Sequence, residues 1–186
     1  MQPILKGLRI IEGSAFIAAP MCGMTLAQLG ADVIRFDQIG GGMDYRRWPV
    51  TEDNTSIYWA EMNKGKRSIA VDLKSDEGKE IVCQLICAEG SDAGIFSTNL
   101  PARGWLSYEE LSKRRSDLIQ HEIVGDRHGG TALDYTVNAK VGFPYLTGHP
   151  DDDRPVNHVL PAWDLSLIHI SEPTRPERSA YAGFCL

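Results

Sequence analysis

The sequence predicts an α/β fold, a parallel sheet with flanking helices. Short apolar runs of strand length recur along the chain, amphipathic stretches separate them, and turn residues mark the joins. Leu8-Arg9-Ile10-Ile11 is the first run and reads as a buried strand, broken by Glu12-Gly13-Ser14. Pro20 suits the first turn of a helix, Met21, Met24, Leu26 and Leu29 give it an apolar face, and Gly30 ends it. Asp32-Val33-Ile34-Arg35-Phe36 is the second strand. Strand, helix and strand in this order form the opening unit of a parallel sheet.

Gly40-Gly41-Gly42 follows the second strand. Three glycines allow backbone N–H groups to approach a phosphate, but they also suit a plain flexible loop. They match neither a dinucleotide fingerprint nor a Walker loop, so use of NAD or ATP is not supported. Arg46 and Arg47, just beyond, could meet a phosphate or simply face solvent. Arg67 to Leu73 alternates as a third strand. Ser75 is a candidate N-cap, Asp76 and Glu77 fit a first helical turn, and Ile81, Val82, Leu85 and Ile86 supply the buried stripe. Ala93 to Phe96 is a fourth strand, with Thr98-Asn99 at its C-terminal end, where open parallel sheets bind ligands. Ser107 to Arg115 reads as a short helix, and Leu118 to Val124 contains a fifth strand. A glycine-rich loop from Asp126 to Thr131 and a weakly patterned helix from Val137 to Leu146 follow. Gly148 to Pro155 is a turn-rich, mostly acidic loop.

A chain of 186 residues is long enough for one domain with a proper core. Its formal net charge of -6 argues against a nucleic-acid or anionic-membrane partner. Lys64, Lys66 and Arg67 form a local basic group that could hold a small anion or be a solvated face. Cys22, Cys83, Cys87 and Cys185 make no Cys-x-x-Cys pair, so neither a metal site nor a redox motif is expected. Reduced thiols fit a cytoplasmic protein, and no apolar run has the length of a signal peptide or a bilayer span.

The chemistry centres on Asn157 to Asp164. Pro161 stiffens this segment, Trp163 sets a flat apolar surface beside Asp164, and that carboxylate is ionised at neutral pH. An ionised carboxylate can serve as a nucleophile, although an Asp after a proline turn is also an ordinary helix N-cap.

Several landmarks occur in one order. They are Gly7 to Glu12, Ala19-Pro20, Leu29 to Ile34, Asn63 to Leu73, Leu106 to Leu111, Leu146-Thr147-Gly148, and an aspartate at position 164. Together they resemble the family III CoA-transferases (CaiB/BaiF type) from about Gly7 to Asp164. The resemblance implies that residues 1–164 are the N-terminal part of that family's Rossmann-like large domain. It implies an acyl-CoA substrate, no further cofactor beyond the coenzyme A of that substrate, and a homodimer in full-length members. Finer wording, at Glu12 to Phe16, Phe36 to Gly42, Arg47-Trp48-Pro49, Arg103 to Tyr108 and Asn157 to Asp164, resembles a branch acting on 2-methylfumarate (mesaconate). That branch moves CoA between the C1 and C4 carboxyl groups of one skeleton. The alternatives are a relative that uses a separate acceptor acid, and an inactive fragment.

By this resemblance Asp164 is the covalent nucleophile and Asp134 an acid that supports the site, though Asp134 also reads as a loop cap. Gln38, Arg67, Asn99 and Arg103 fall near positions that touch the CoA nucleotide in relatives, Asn99 foremost. Ile17 stands where some members carry a polar residue. Leu133, not histidine, precedes Asp134, which sets the chain apart from the racemase branch of the fold. His158 reads as a loop residue, with a substrate contact as the alternative. Residues 165–186 change character, and Ser166 to Pro176 resembles a translated sequencing adapter. A truncated reading frame with a non-native tail is therefore expected.

Overall fold

The computed structural model describes residues 3–126, 128, 130, 132–162, 164 and 165. The chain divides after Glu122 into two compact units. The first is a five-stranded parallel sheet of β1 (Arg9–Gly13), β2 (Asp32–Gln38), β3 (Arg67–Val71), β4 (Ile95–Thr98) and β5 (Ile119–Glu122). The strand order is β3-β2-β1-β4-β5, so the direction of winding reverses between β1 and β4. Helices α1 (Ala18–Gln28), α2 (Ile57–Met62), α3 (Asp76–Ile86) and α4 (Tyr108–Arg114) connect the strands.

Alternation along the strands builds two apolar layers. On one face, Ile11, Ile34, Phe36 and Phe96 pack with Val82, Cys83 and Ile86 of α3 and Leu111 of α4. On the other, Ile10 and Val33 pack with Leu8, Leu26, Ala27 and Ile95. Ser75 caps α3 by accepting a hydrogen bond from Gly78 N–H, and Asp76 and Glu77 occupy its first turn as the sequence indicates. Cys83 is buried in the core and Cys87 packs against it, as expected of small apolar side chains.

Several boundaries and faces differ from the sequence reading. β1 does not break at Glu12 but runs through it to Gly13, because the Glu12 carboxylate finds buried partners. α1 buries Ala18, Ala19, Pro20 and Gly23, while the expected Met21, Met24, Leu26 and Leu29 are only half-buried. Small residues face the sheet there because a charged side chain lies beneath. In α3, Ile81 is exposed and Cys83 takes its place in the stripe. Helix α2 was not anticipated, since six residues carry too little periodicity to register.

The second unit, within its described residues, holds α5 (Asp134–Lys140) and a 3-10 turn (Phe143–Leu146). The continuous helix expected over 137–146 is interrupted at Gly142, whose φ of 77° ends one element and starts the next. Residues 166–186, and with them the adapter-like tail and Cys185, lie outside the described residues, as does Trp163.

Candidate active site

Each unit holds its own group of candidate residues. In the first unit they gather at the C-terminal ends of β1 and β4, the switch point where open α/β sheets hold ligands. Thr98 Oγ1 donates to Gly13 O at 2.6 Å and ties the two strand ends together. The loop that follows β1 is then gripped from three sides. Asn99 accepts from Ala15 N–H at 2.9 Å and donates to Ala15 O at 2.7 Å, so its amide is engaged at both ends. Arg35 Nη2 donates to Ser14 O at 3.0 Å. Asp44 Oδ2 accepts from Phe16 N–H at 2.9 Å. These bonds hold Phe16 at a φ of 64°, a left-handed conformation that costs a non-glycine residue roughly 1–2 kcal/mol.

Beneath the loop lies a buried charge cluster. Arg35 is 1% exposed and uses its whole guanidinium. Nε and Nη2 grip Asp37 at 2.8 and 3.0 Å, Nη2 also reaches Asp44 Oδ1 at 3.2 Å, and Nη1 donates to Asn63 Oδ1 at 3.0 Å. Burial works against its charge, but Asp37, Asp44 and Glu12 outweigh it and raise the Arg35 pKa. Lys66 Nζ donates to Glu12 Oε1 at 2.8 Å, to Pro20 O at 2.8 Å and to Asn63 Oδ1 at 2.9 Å. Burial raises the Glu12 pKa despite Lys66, and burial lowers that of Lys66 despite Glu12. Glu12 Oε2 has no hydrogen-bond partner among the described residues and lies under Gly23.

Registers place Ser68, Arg35, Glu12, Ser97 and His121 on one rung across all five strands. His121 Nδ1 lies 3.1 Å from Ser97 Oγ, and burial lowers the His121 pKa, so its ring is neutral at pH 7. Gly42 belongs to this cluster rather than to a free loop. A Cβ there would come within 2.5 Å of Asp37 Oδ1 and 3.0 Å of Arg35 Nη2.

The second unit places Asp164 in a helical turn that follows Pro161, with Leu165 N–H donating to Pro161 O at 3.0 Å. Asp164 is therefore inside the first turn and does not occupy the N-cap. Its backbone N–H donates to Asp134 Oδ2 at 3.2 Å. Asp134 is buried at the start of α5, and its Oδ1 accepts from Asn138 Nδ2 at 2.9 Å. Thus Asp134 ties α5 to the backbone of Asp164 and leaves the Asp164 carboxyl outside that bond. His158 stacks on Phe143 with centroids 4.5 Å apart.

Of the remaining positions singled out by sequence, Gln38 is exposed at the C-terminal end of β2. Arg103 is exposed beyond β4, and its guanidinium has no partner among the described residues. Arg67 stands at the opposite, N-terminal edge of the sheet, where it pairs with Asp32 at 3.1 Å. Gln38, Asn99 and Arg103 therefore share one edge and Arg67 does not. Sequence reading missed Glu12, Arg35, Asp37 and Asp44, and it took Lys66 as part of a basic group for a small anion or a solvated face, whereas Lys66 is buried against Glu12. Among the described residues no group of three or more His, Cys, Asp or Glu is placed to hold a metal, and no helix is long and apolar enough to cross a membrane.

A five-stranded parallel sheet with this winding and flanking helices defines the class as an open α/β fold. The family model for CoA-transferase family III matches residues 5–167, and the chain belongs to that family. It is 62% identical over 166 residues to the 2-methylfumaryl-CoA isomerase of Chloroflexus aurantiacus, covering 89% of this chain and 41% of that one. It is 36% identical over 162 residues to the succinate–glutarate CoA-transferase of Agrobacterium fabrum, covering 81% of this chain and 40% of that one. Among solved structures, a CaiB/BaiF family protein from Brucella suis superposes with a TM-score of 0.76 at 31% identity, over 88% of this chain and 46% of that one. The chain thus spans less than half the length of these relatives.

Proposed function

We propose that the protein bearing this chain moves coenzyme A between the C1 and C4 carboxyl groups of 2-methylfumarate, with Asp164 as the covalent relay. The observation that carries this reading is the 62% identity to a 2-methylfumaryl-CoA isomerase, against 36% to a relative named for two separate acids.

The Asp164 carboxylate attacks the thioester carbonyl, the C–S bond breaks, and a mixed anhydride forms as CoA thiolate leaves. The thiolate attacks the aspartyl carbonyl of that anhydride, which frees the substrate dicarboxylate and leaves an aspartyl-CoA thioester. The other substrate carboxylate then attacks this thioester, expelling the thiolate and giving the isomeric anhydride. A final thiolate attack on the substrate carbonyl of that anhydride yields the isomeric CoA ester and restores the Asp164 carboxylate. A carboxylate relay divides one hard exchange into easier steps, and exclusion of water protects the anhydride. Asp134 acts on Asp164 through the backbone amide it accepts from, as a positioning residue.

Gln38 and Arg103 are exposed on the ligand edge of the sheet and are assigned to the CoA nucleotide. Asn99 serves the same end by fixing the loop at Ala15, and Arg67 is the outlying member of the set. We assign the protein to the cytoplasm, where the Cys22, Cys83 and Cys87 thiols stay reduced, and expect the full-length protein to be a homodimer.

The test is isomerisation of 2-methylfumaryl-CoA without any added acid, followed by hydroxylamine treatment and mass spectrometry of the Asp164 peptide. We expect turnover and an Asp164 hydroxamate, with both lost in Asp164→Asn. Turnover that requires a second acid would instead assign the separate-acceptor chemistry. No adduct at all would refute the covalent relay.

A further inference from the structure

The Arg47 guanidinium lies over two aromatic rings. It lies 5.3 Å from the Phe16 ring centroid and 4.7 Å from that of Tyr58. Yet it makes no hydrogen bond and no ion pair with any described residue, and it is exposed. Arginines on a solvated face are ordinarily mobile, and those with structural duties spend their donors, as Arg35 does. Arg47 does neither. Its orientation is fixed by stacking, while its planar fork of N–H donors remains unspent.

The parts that hold Arg47 are themselves expensive to place. Phe16 reaches its ring position through a left-handed backbone, pinned by Asp44 and, one and two residues earlier, by Asn99 and Arg35. Tyr58 comes from α2, whose N-cap Ser56 accepts from Trp59 N–H and also donates to Arg47 O. Arg47 N–H in turn donates to Asp44 O at 3.0 Å. The same Asp44 therefore fixes both the backbone of Phe16 and that of Arg47. The loop bearing Phe16 is the one at the switch point of the sheet.

We propose that Arg47, lying over the rings of Phe16 and Tyr58, is an oxyanion-binding residue that takes a carboxylate or phosphate of the CoA-thioester ligand. This rests on the CoA-thioester reading given above. The chemistry follows from the geometry. A flat guanidinium with paired donors matches a carboxylate or phosphate in two parallel bonds. The two aromatic rings beside the guanidinium suit a short unsaturated acyl chain ending in a carboxylate, which makes the acyl group the favoured source.

The test compares wild type, Arg47→Met and Arg47→Lys by calorimetric titration with 2-methylfumaryl-CoA, crotonyl-CoA and CoA. Crotonyl-CoA keeps the four-carbon unsaturated chain but lacks the second carboxylate. Both backbone bonds of Arg47 survive substitution, and a thermal melt checks that the fold does too. We expect Arg47→Met to weaken 2-methylfumaryl-CoA by about tenfold or more, with crotonyl-CoA and CoA unchanged. Arg47→Lys, which keeps the charge but loses the fork, should recover only part of that. Equal weakening for all three ligands supports the proposal with phosphate as the source. Unchanged affinity for all three overturns it. If wild type binds none of them, the CoA-thioester reading fails, and titration with 2-methylfumarate and with inorganic phosphate isolates Arg47. A tenfold difference between wild type and Arg47→Met there upholds the oxyanion site, and no difference overturns it.

Discussion

Lys66 is the counter-ion that lets β1 carry a carboxylate through the middle of the sheet. Its side chain and that of Glu12 are 2% and 0% exposed, and they meet at 2.8 Å. Removing one partner from such a pair leaves a buried charge and costs about 3–5 kcal/mol. Lys66→Met should therefore lose stability in that range at pH 7 in urea unfolding. The pH dependence has a definite sign. Burial already raises the Glu12 pKa, and loss of Lys66 raises it further. A carboxyl whose folded pKa lies above its unfolded value of about 4.3 favours folding at low pH and withdraws that support as pH rises through the folded value. The deficit of Lys66→Met relative to wild type should thus shrink between pH 7 and pH 5. A deficit that stays constant or grows over that interval would contradict a buried, uncompensated Glu12. Part of this cluster could have been seen in the sequence. Arg35 and Asp37 stand two apart on one strand, so they share a face and suggest a paired, buried arginine. Nothing local announces that Asp44, Asn63 and Lys66 converge on the same point, because those contacts depend on tertiary folding.

At the scale of the element, α1 shows why apolar patterning misplaced a helix face. The pattern of Met21, Met24, Leu26 and Leu29 is real, and Leu26 does pack against the core. At Gly23, however, the helix comes so close to the sheet that a Cβ would fall 1.7 Å from Glu12 Oε2 and 2.9 Å from its Cδ. Glu12 cannot simply swing aside, since Ser14 at 2.6 Å and Lys66 at 2.8 Å pin its other oxygen. Replacing a mid-helix glycine with alanine ordinarily stabilises by about 1 kcal/mol. Gly23→Ala should instead destabilise by about 1–3 kcal/mol, the usual cost of overpacking, and lower the melting temperature. A neutral or raised melting temperature would mean that α1 can lift off the sheet at no cost. Several other elements follow their local signals. Ser75 caps the helix that the sequence places after it, Ser107 caps the helix read as starting on it, and Thr98-Asn99 does end a strand. What local signals could not supply was α2, six residues long, whose Tyr58 and Trp59 matter for the arginines they face. Asp164 is singled out by the family resemblance, since its own surroundings read equally as a helix N-cap. The bond from Asp134 to its backbone spans thirty residues and became visible only with the fold.

Across the whole molecule, stability is unevenly shared, and the distribution follows burial. In the first unit, β1, β2 and β4 have strand neighbours on both sides, and β2 is buried from Val33 to Asp37. β3 and β5 are edges with mixed burial, and Ile119 of β5 is 60% exposed. In the second unit the buried described residues are Asp134, Asn138 and Pro144, which offer hydrogen bonds but little apolar area. Since burial of apolar surface is the main favourable term in folding, these regions should open with different free energies. Native-state hydrogen exchange is expected to show its slowest amides in β1, β2 and β4, faster exchange in β3 and β5, and faster still in α5. Adding 2-methylfumaryl-CoA should slow exchange most at Ala15 and Phe16, whose amides already donate to Asn99 and Asp44 and whose loop lies at the switch point. Binding stabilises the bound conformation by mass action, so protection that appears at the N-terminal edge of the sheet near Arg67 and spares this loop would move the ligand to the other end of the strands.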